Sequence, residues 1–440
     1  MKKLKKLRKR LPAIALAVAM CMGTTISAFA ADPDPNEILS RGTPDEPAQV
    51  AITKQLIMPY DTTIPGATFT FQIEKVSVDG SNETADVAQM PSINDVTAAF
   101  SSTDSSTVDS NVKTVLYQTT DLLAGLTFPH AGEYVYKVKE KPDDAGYTLT
   151  DVESYIYSSA EYEIHVYVKE APAPNGTLYV AYVGTYVSAK DNPAGSTVVG
   201  TKVDATPGDE STADDYSKMI FTNTYTKIAG NATEDTTNSA LTISKVVEGE
   251  YANKEKYFDF EVKVEELPSL ISDILTNEGT SLTYKAFVVN ELSGDVVTST
   301  ENYGGTLKDG TDGKYIEITP GTPIIIKLKH NQKLAFTDMI VGVEFTVEEA
   351  GTPHYIASYS QTVNNGTPDE DTAVEGSSLK TSSALIGEEL NKVDFTNEYR
   401  DITPTGVIVN NLPYVMILIL AAGSFMAFVV VKSRKKRSRA

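Results

Sequence analysis

The sequence contains few of the residues that usually carry metal-binding or nucleophilic chemistry. Among 440 residues there are one cysteine, four histidines and no tryptophan. The histidines do not show metal-ligand spacing, and no glycine-rich phosphate loop occurs. We therefore expect no disulfide framework, no metal site, no cofactor and no enzyme that turns over. The histidines are His130, His165, His330 and His354, and the cysteine is Cys21.

The 3.6-residue period of long amphipathic helices is also missing, except at the two ends of the chain. Between them, short runs rich in Val, Ile, Tyr, Phe and Thr are separated by clusters of Gly, Pro, Asn and Asp. Alternation with a period of two is typical of half-buried strands, so we predict an all-β protein of antiparallel sandwiches. Composition indicates a loose leader at 31–47, a domain at 48–226, a linker at 227–239 and a domain at 240–400.

The N-terminus has the three parts of a secretory signal peptide, which we place at residues 1–30. Seven Lys or Arg residues precede an apolar stretch, and residues 28–30 (Ala-Phe-Ala) offer a small-x-small cleavage site. Cys21 leaves with this segment, so the mature chain contains no cysteine. An exported protein without disulfides needs another source of stability.

The C-terminal segment, residues 401–440, is predicted to contain a membrane span. Residues 412–431 are all apolar or small, and this run is long enough to cross a bilayer. The basic tail at 432–440 then lies on the cytoplasmic side by the positive-inside rule. A simple membrane anchor is one interpretation of this segment.

A short motif before the span favours a second interpretation. Pro404, Thr405 and Gly406 lie within Ile-Thr-Pro-Thr-Gly at 402–406. Together with the span and the basic tail, this resembles an LPXTG-like cell-wall sorting signal of Gram-positive bacteria, although the proline is one position late. The resemblance implies that a sortase cuts between Thr405 and Gly406 and transfers the Thr405 carboxyl to an amine.

The mature chain is strongly acidic. The whole sequence has 38 Lys+Arg and 59 Asp+Glu. Seven basic residues leave with the signal peptide and six with the tail, and neither piece carries an acid, so the mature charge is 25 − 59 = −34. Such a surface argues against nucleic acid and anionic membranes as partners.

Two lysines occupy strand positions that should face a core. Lys54, within residues 50–56, and Lys245, within residues 241–247, each alternate in phase with aliphatic neighbours. Lysine is almost never fully buried without a partner. Because the pattern occurs twice, it indicates a chemical purpose and predicts buried partners for both amines.

The same period of two selects a glutamate and an asparagine in each half of the chain. Glu140 and Glu349 follow in phase with the apolar faces of their strands, and so do Asn223 and Asn397. Each domain therefore offers Lys, Glu and Asn, in that order, on faces that should meet in one core.

The order of these segments resembles the FctA-type major pilins, which carry tandem streptococcal pilin isopeptide-linkage domains and are assembled by sortases. The resemblance runs over nearly the whole chain. No single segment is specific to this family. Their order is specific, because it occurs twice and is followed by a sorting tail. The segments are 52–56, 69–74, 128–140 and 221–223 in the first half, and 241–245, 258–260, 343–349 and 395–397 in the second.

The resemblance implies that each domain is an Ig-like (CnaB-like) sandwich that forms one intramolecular isopeptide bond by itself. Burial lowers the pKa of a lysine and raises that of a glutamate. A neutral amine could then attack the amide carbon, while a protonated glutamate polarises the amide oxygen and shuttles protons to the departing ammonia. The alternative is that the lysines reach towards solvent and form ordinary salt bridges. The implied cross-links are Lys54–Asn223 with Glu140 and Lys245–Asn397 with Glu349.

We therefore predict the backbone subunit of a sortase-polymerised surface pilus, a secreted fimbrium protein of the cell wall. Expected partners are a sortase, copies of itself, minor pilins and peptidoglycan. The alternative is a monomeric wall-anchored stalk or adhesin of the same domain type. For the lysine that accepts the next subunit we select Lys218, which precedes Met219 and faces solvent by parity. Lys202 is a second candidate, and an ordinary surface role for Lys218 stays open.

Overall fold

The computed structural model describes residues 40–437, except 143–145, 192–198, 213–214, 231–233, 281, 312 and 401–404. The predicted signal peptide, the first part of the predicted leader and Pro404 of the sorting motif lie outside the described residues. The described chain is mostly β-sheet and forms two β-sandwiches followed by an apolar helix. The predicted fold class is therefore confirmed.

The first sandwich consists of a seven-stranded sheet and a five-stranded sheet. Its elements are β1 Ser40–Arg41, β2 Thr53–Pro59, β3 Thr68–Val78, α1 Thr84–Gln89, β4 Val96–Ala99, β5 Thr107–Asp109, β6 Val112–Gln118, β7 Gly132–Glu140, β8 Glu153–Ile156, β9 Glu161–Glu170, β10 Leu178–Ala189, β11 Lys202–Val203 and β12 Ile220–Lys227. The large sheet has the order β1-β10-β9-β7-β3-β4 with β11 beside β10, and the small sheet has the order β5-β6-β2-β12-β8. Phe71 on β3 meets Phe221 on β12 across the core, with ring centroids 4.9 Å apart.

The second sandwich consists of an eight-stranded sheet and a five-stranded sheet. Its elements are β13 Leu241–Glu248, β14 Phe258–Val264, α2 Ser269–Asn277, β15 Tyr284–Asn290, a 3₁₀ helix Thr300–Asn302, β16 Lys308–Asp309, β17 Lys314–Ile318, β18 Ile324–Leu328, β19 Gln332–Phe336, β20 Glu344–Glu349, β21 Tyr355–Thr362, β22 Asp369–Thr372, β23 Leu379–Lys380, β24 Ala384–Leu385 and β25 Lys392–Tyr399. The orders are β16-β17-β15-β19-β13-β25-β21-β22 and β18-β14-β20-β23, with β24 beside β20. Phe260 on β14 meets Phe395 on β25 at 5.2 Å, as Phe71 meets Phe221 in the first sandwich.

In each sandwich, the strand that carries the lysine lies parallel and next to the strand that carries the asparagine. β2 pairs with β12 with Lys54 opposite Phe221, and β13 pairs with β25 with Lys245 opposite Phe395. The asparagine follows two residues after each phenylalanine, so it points to the same face as the lysine. The glutamate strands, β7 and β20, belong to the facing sheets. The three side chains therefore approach one another across the core.

The segments predicted to be loose are partly ordered against the sandwiches. Ser40–Arg41 pairs with β10, and the Ala48 N–H donates to the Val180 carbonyl at 2.9 Å. The prediction of a loose leader is therefore wrong from Ser40 onward. The predicted linker is also tied at its start, because Ile228 forms a β-bridge with Ile340 of the second sandwich.

The two sandwiches meet at a junction with an apolar and a polar part. Ile57 and Val112 of the first sandwich belong to the same buried cluster as the core of the second. Beside them, Glu388 accepts hydrogen bonds from the Thr63 N–H and from Lys227 Nζ, both at 2.5 Å. The Glu388 carboxylate, which belongs to the second sandwich, thus binds one group near the start and one near the end of the first sandwich. These contacts restrict movement of one sandwich relative to the other.

Helix α3, Thr405–Arg437, closes the described chain. Its segment Pro413–Val430 has 18 residues and is apolar enough to cross a membrane, and none of it is buried against the rest of the described chain. A transmembrane sorting segment fits this helix. Thr405 and Gly406 of the predicted motif form its first two residues.

Candidate cross-linking sites

The first site joins Lys54 of β2, Glu140 of β7 and Asn223 of β12 inside the first sandwich. Lys54 Nζ lies 2.7 Å from Glu140 Oε2, and Asn223 Nδ2 donates to Glu140 Oε1 at 2.8 Å. Lys54 and Asn223 have no exposed surface, and Glu140 is 5% exposed. The structure thus brings together the three residues selected by strand parity, although they are far apart in sequence.

The second site repeats the arrangement with Lys245 of β13, Glu349 of β20 and Asn397 of β25. Lys245 Nζ lies 3.0 and 2.9 Å from the two oxygens of Glu349 and 2.6 Å from Asn397 Oδ1. Asn397 Nδ2 donates to Glu349 Oε1 at 2.5 Å. All three side chains are buried. The alternative in which either lysine reaches solvent is therefore excluded by its burial.

An aromatic ring covers each amine, and strand parity alone did not select it as part of the site. Lys54 Nζ lies 4.6 Å from the centre of the Phe69 ring, and Lys245 Nζ lies 4.5 Å from that of Phe258. A Phe-x-Phe pair on β3 and on β14 is the sequence signal that could have found them, because the second phenylalanine of each pair lies opposite the glutamate of its site. The rings exclude water while offering the ammonium a weak electrostatic contact.

Burial shifts the pKa values of both lysine–glutamate pairs in the direction that the chemistry needs. Desolvation lowers the pKa of Lys54 to about 8, against the opposing attraction of Glu140, and lowers the pKa of Lys245 to about 8 in the same way. Desolvation also raises the pKa of Glu140 and of Glu349. A neutral amine beside a neutral carboxylic acid is therefore closer in free energy to the ion pair than it would be in water.

The carboxamides are oriented differently from the arrangement expected from sequence. In both sites the glutamate accepts a hydrogen bond from the amide nitrogen, Asn223 Nδ2 or Asn397 Nδ2. The expectation that the glutamate polarises the amide oxygen therefore does not fit this geometry. The glutamate carboxyl contacts both the amine and the amide nitrogen. This position suits transfer of a proton from the amine to the leaving nitrogen, which is the other part of the role expected for the glutamate.

A comparison with known proteins finds a family that is similar to the first sandwich. Residues 50–226 match the FctA family model, described as a Spy0128-like isopeptide containing domain. The first sandwich is therefore similar to FctA domains over residues 50–226. Residues 239–399 match a separate family model, described as a domain of unknown function, DUF7601. The second sandwich nevertheless resembles the first in its strand arrangement and in the residues of its site.

Proteins that are similar to most of this chain include pilins and an adhesin. A protein named Pilin from Streptococcus pyogenes serotype M1 is 24% identical over 416 residues, with 93% of this chain and 97% of that protein covered. The crystal structure of the major pilin from Streptococcus pyogenes is 19% identical, with 81% and 100% covered and a TM-score of 0.30. A Mobiluncus mulieris adhesin containing intramolecular disulfide, isopeptide and ester bond cross-links is 10% identical, with 80% and 100% covered and a TM-score of 0.21.

The acceptor candidates lie on the outside of the first sandwich. Lys218 is half-buried just before β12, and its N–H donates to the Asp204 carbonyl at 2.7 Å. Lys202 lies on β11 with Nζ 5.3 Å from the centre of the Tyr186 ring. Among the described residues, no group of three His, Cys, Asp or Glu side chains is placed to hold a metal ion.

Proposed function

We propose that this chain is the backbone subunit of a sortase-assembled surface pilus and that each sandwich closes one Lys–Asn isopeptide bond by itself. The observation that carries the proposal is the sealed contact of amine, carboxyl and carboxamide, which occurs in both sandwiches. Lys245 shows it most completely, with Glu349 and Asn397 both within 3.0 Å of its Nζ. A buried ion pair alone is a poor source of stability, whereas a covalent bond removes the buried charges.

The reaction needs no cofactor. The neutral lysine Nζ attacks Cγ of the asparagine, so that an N–C bond forms and the bond from Cγ to Nδ2 breaks. The glutamic acid takes a proton from the attacking nitrogen and supplies one to Nδ2, which leaves as ammonia. The glutamate ends in the protonation state in which it began. Preorganisation in the folded core replaces an external catalyst, and each site reacts once.

The bonds explain how an exported protein without a disulfide can carry load. The bond from Lys54 to Asn223 joins β2 to β12, the neighbouring strands at the two ends of the first sandwich. It closes a loop of roughly 170 residues, which the chain-entropy treatment of cross-links equates to roughly 5 kcal/mol. Tension entering at one end strand can then pass to the other without separating the sheets.

Assembly follows from the C-terminal segment. A sortase would cut between Thr405 and Gly406, release α3 in the membrane and join the Thr405 carboxyl to Lys218 of the next copy or, at the base, to peptidoglycan. Minor pilins would be added in the same way. The pilin relatives support this function, and the monomeric wall-anchored stalk is the alternative.

The mass of the secreted chain tests the cross-links directly. We expect the intact protein, produced without a sortase, to lack two ammonia masses relative to its sequence. Replacement of Lys54 by Met should restore one of them and leave the second bond intact. A wild-type mass equal to that of the sequence would exclude self-formed isopeptide bonds, while a detergent-resistant ladder in wall extracts separately tests polymerisation.

A further inference from the structure

The two sites differ in what holds the carboxamide oxygen that becomes negative during attack. In the first site, Asn223 Oδ1 accepts a hydrogen bond from the backbone N–H of Ser158 at 2.7 Å. Since an N–H can only donate, this contact also fixes which end of the carboxamide is the oxygen. In the second site, Asn397 Oδ1 instead accepts from Lys245 Nζ, the attacking group itself.

The early end of β8 makes the Ser158 N–H available. The last paired residues of β8 and β12 are Ile156 and Thr224, and the chain then leaves the ladder beside Asn223. In the second sandwich, β21 continues to pair with β25 past Asn397, as far as Thr362 opposite Lys392. The backbone groups of β21 beside Asn397 are therefore used in strand pairing and do not turn towards the Asn397 side chain.

Asp191 links the two chain segments beyond the point where pairing of β8 with β12 ends. Its Oδ2 accepts from the Thr222 N–H at 2.7 Å, and its Oδ1 accepts from the Ser159 N–H at 3.1 Å. Ser159 is further tied through its hydroxyl, which donates to the Lys190 carbonyl at 3.0 Å. One carboxylate therefore connects the residue after Ser158 with the residue before Asn223.

We propose that the Ser158 N–H is an oxyanion donor for isopeptide formation in the first sandwich and that Asp191 is the residue that positions it. When Lys54 attacks, the negative charge that develops on Asn223 Oδ1 lies against a donor already in place. Asn223 has no exposed surface, so water does not weaken this contact. In the second site, Lys245 must release the oxygen as it attacks. This inference rests on the proposed function, and it predicts that the first bond forms faster than the second.

The charge of Asp191 adds a measurable signature. Burial has the largest effect on the pKa of Lys54 and of Glu140, and the negative Asp191 contributes a smaller upward effect on each. Among the described residues, Asp191 is the charged group outside the pair that acts on both Lys54 and Glu140. Removal of its charge should therefore move the whole pH–rate profile of bond formation to lower pH.

The decisive experiment follows both bonds in one full chain. The chain is synthesised in a cell-free reaction with detergent, quenched at intervals and digested, and the Lys54–Asn223 and Lys245–Asn397 cross-linked peptides are quantified. Ser158→Pro removes the N–H and should slow the first bond by about 10²-fold. Ser158→Ala retains the N–H and loses only the hydroxyl that accepts from the Ala160 N–H at 3.3 Å, so it should form the first bond far faster than Ser158→Pro. Formation of the Lys245–Asn397 bond in the same chain is the internal reference for the rate, and it also shows that the chain has folded.

Asp191 variants keep the test valid if the proline disturbs folding. Asp191→Ala should slow the first bond, and Asp191→Asn should also lower the pH of its fastest formation, which a purely structural role would not do. Equal rates for Ser158→Pro and Ser158→Ala, or an unmoved profile in Asp191→Asn, would overturn this inference. A wild-type chain that never forms the Lys54–Asn223 peptide would instead overturn the proposed function.

Discussion

The Nζ atom of Lys245 lies 2.6 Å from the carboxamide oxygen of Asn397, a residue 152 positions later in the chain. The same Nζ also contacts both oxygens of Glu349, so its three donor positions all have acceptors inside the core. Parallel pairing of β13 with β25 produces this contact. The fold thus brings the amine and the carboxamide together before any bond forms.

Replacement of Glu349 by Gln should prevent the second bond while leaving the first intact. The amine loses its proton acceptor, and the buried lysine loses its charged partner, which usually costs about 3–5 kcal/mol of unfolding free energy. Intact mass should show that only one ammonia has been lost, and the denaturation midpoint should fall.

Glu348→Gln is the matched control for this change. Glu348 is the neighbouring residue on β20 and points to the opposite face, where it is half-buried. It should keep the mass deficit of two ammonias and nearly wild-type stability. A two-ammonia deficit in Glu349→Gln would show that the glutamate is not needed for the reaction.

The unreacted second site should make stability depend on pH in the alkaline range. In Asn397→Ala the bond cannot form, and burial holds the pKa of Lys245 at about 8, below its ordinary 10.5. Between these values the unfolded chain keeps the lysine proton and the folded chain has lost it, so stability rises with pH. The gain should reach about 3 kcal/mol across the window and is absent below pH 8.

Denaturant titrations between pH 7 and 10.5 check this prediction. The control is Asn397→Ala combined with Lys245→Met, which lacks the titrating amine and should not show the extra rise. Equal pH dependence of the two variants would mean that the buried lysine does not titrate in this range.

The acceptor role is tested by replacing one lysine amine at a time in cells that carry a pilin sortase. Lys218→Arg keeps the positive charge and the backbone contact to Asp204 but removes the nucleophilic amine, so the high-mass ladder should disappear from wall extracts. Lys202→Arg should leave the ladder intact. The opposite result would assign Lys202, and a wild type without a ladder would favour the monomeric stalk.

Glu388 should control the junction between the sandwiches. In Glu388→Ala, the Thr63 N–H and the Lys227 ammonium lose their shared acceptor, and hydrogen bonds to charged groups are each worth about 1.5–3 kcal/mol. Trypsin should therefore cut after Lys227 faster than in wild type, while both cross-links still form. Glu389→Ala is the control, because Glu389 is exposed. Unchanged cleavage in Glu388→Ala would show that other contacts hold the junction.

Strand parity was sufficient to select most of the candidate site. Alternation with a period of two places Lys54, Glu140 and Asn223 on inward faces because a strand has only two faces, and neighbouring polar residues in the wrong phase are rejected. The role of the glutamate was only partly predicted. Which end of a carboxamide meets which partner depends on atoms from three strands, and a pattern along one strand does not contain that information.

Contacts between distant segments were not predictable in the same way. The order of Ser40–Arg41 against β10 was missed because a polar, proline-rich segment shows no strand pattern and is held by backbone pairing alone. The nine-residue helix α2 was missed because it offers too few turns for a clear period, although Ile271 and Ile274 are buried. Such elements acquire their structure from the surface on which they pack.

By itself, the sequence determined the all-β class, the inward position of Lys54 and Lys245, and the apolar helix at the C-terminus, because each follows from a local period or run of residues. Only the tertiary structure decided that β2 lies beside β12, that Phe69 covers the first amine and that the Ser158 N–H faces Asn223. These relationships depend on where β8 stops and on which strands become neighbours, and the packing of the whole sandwich sets both.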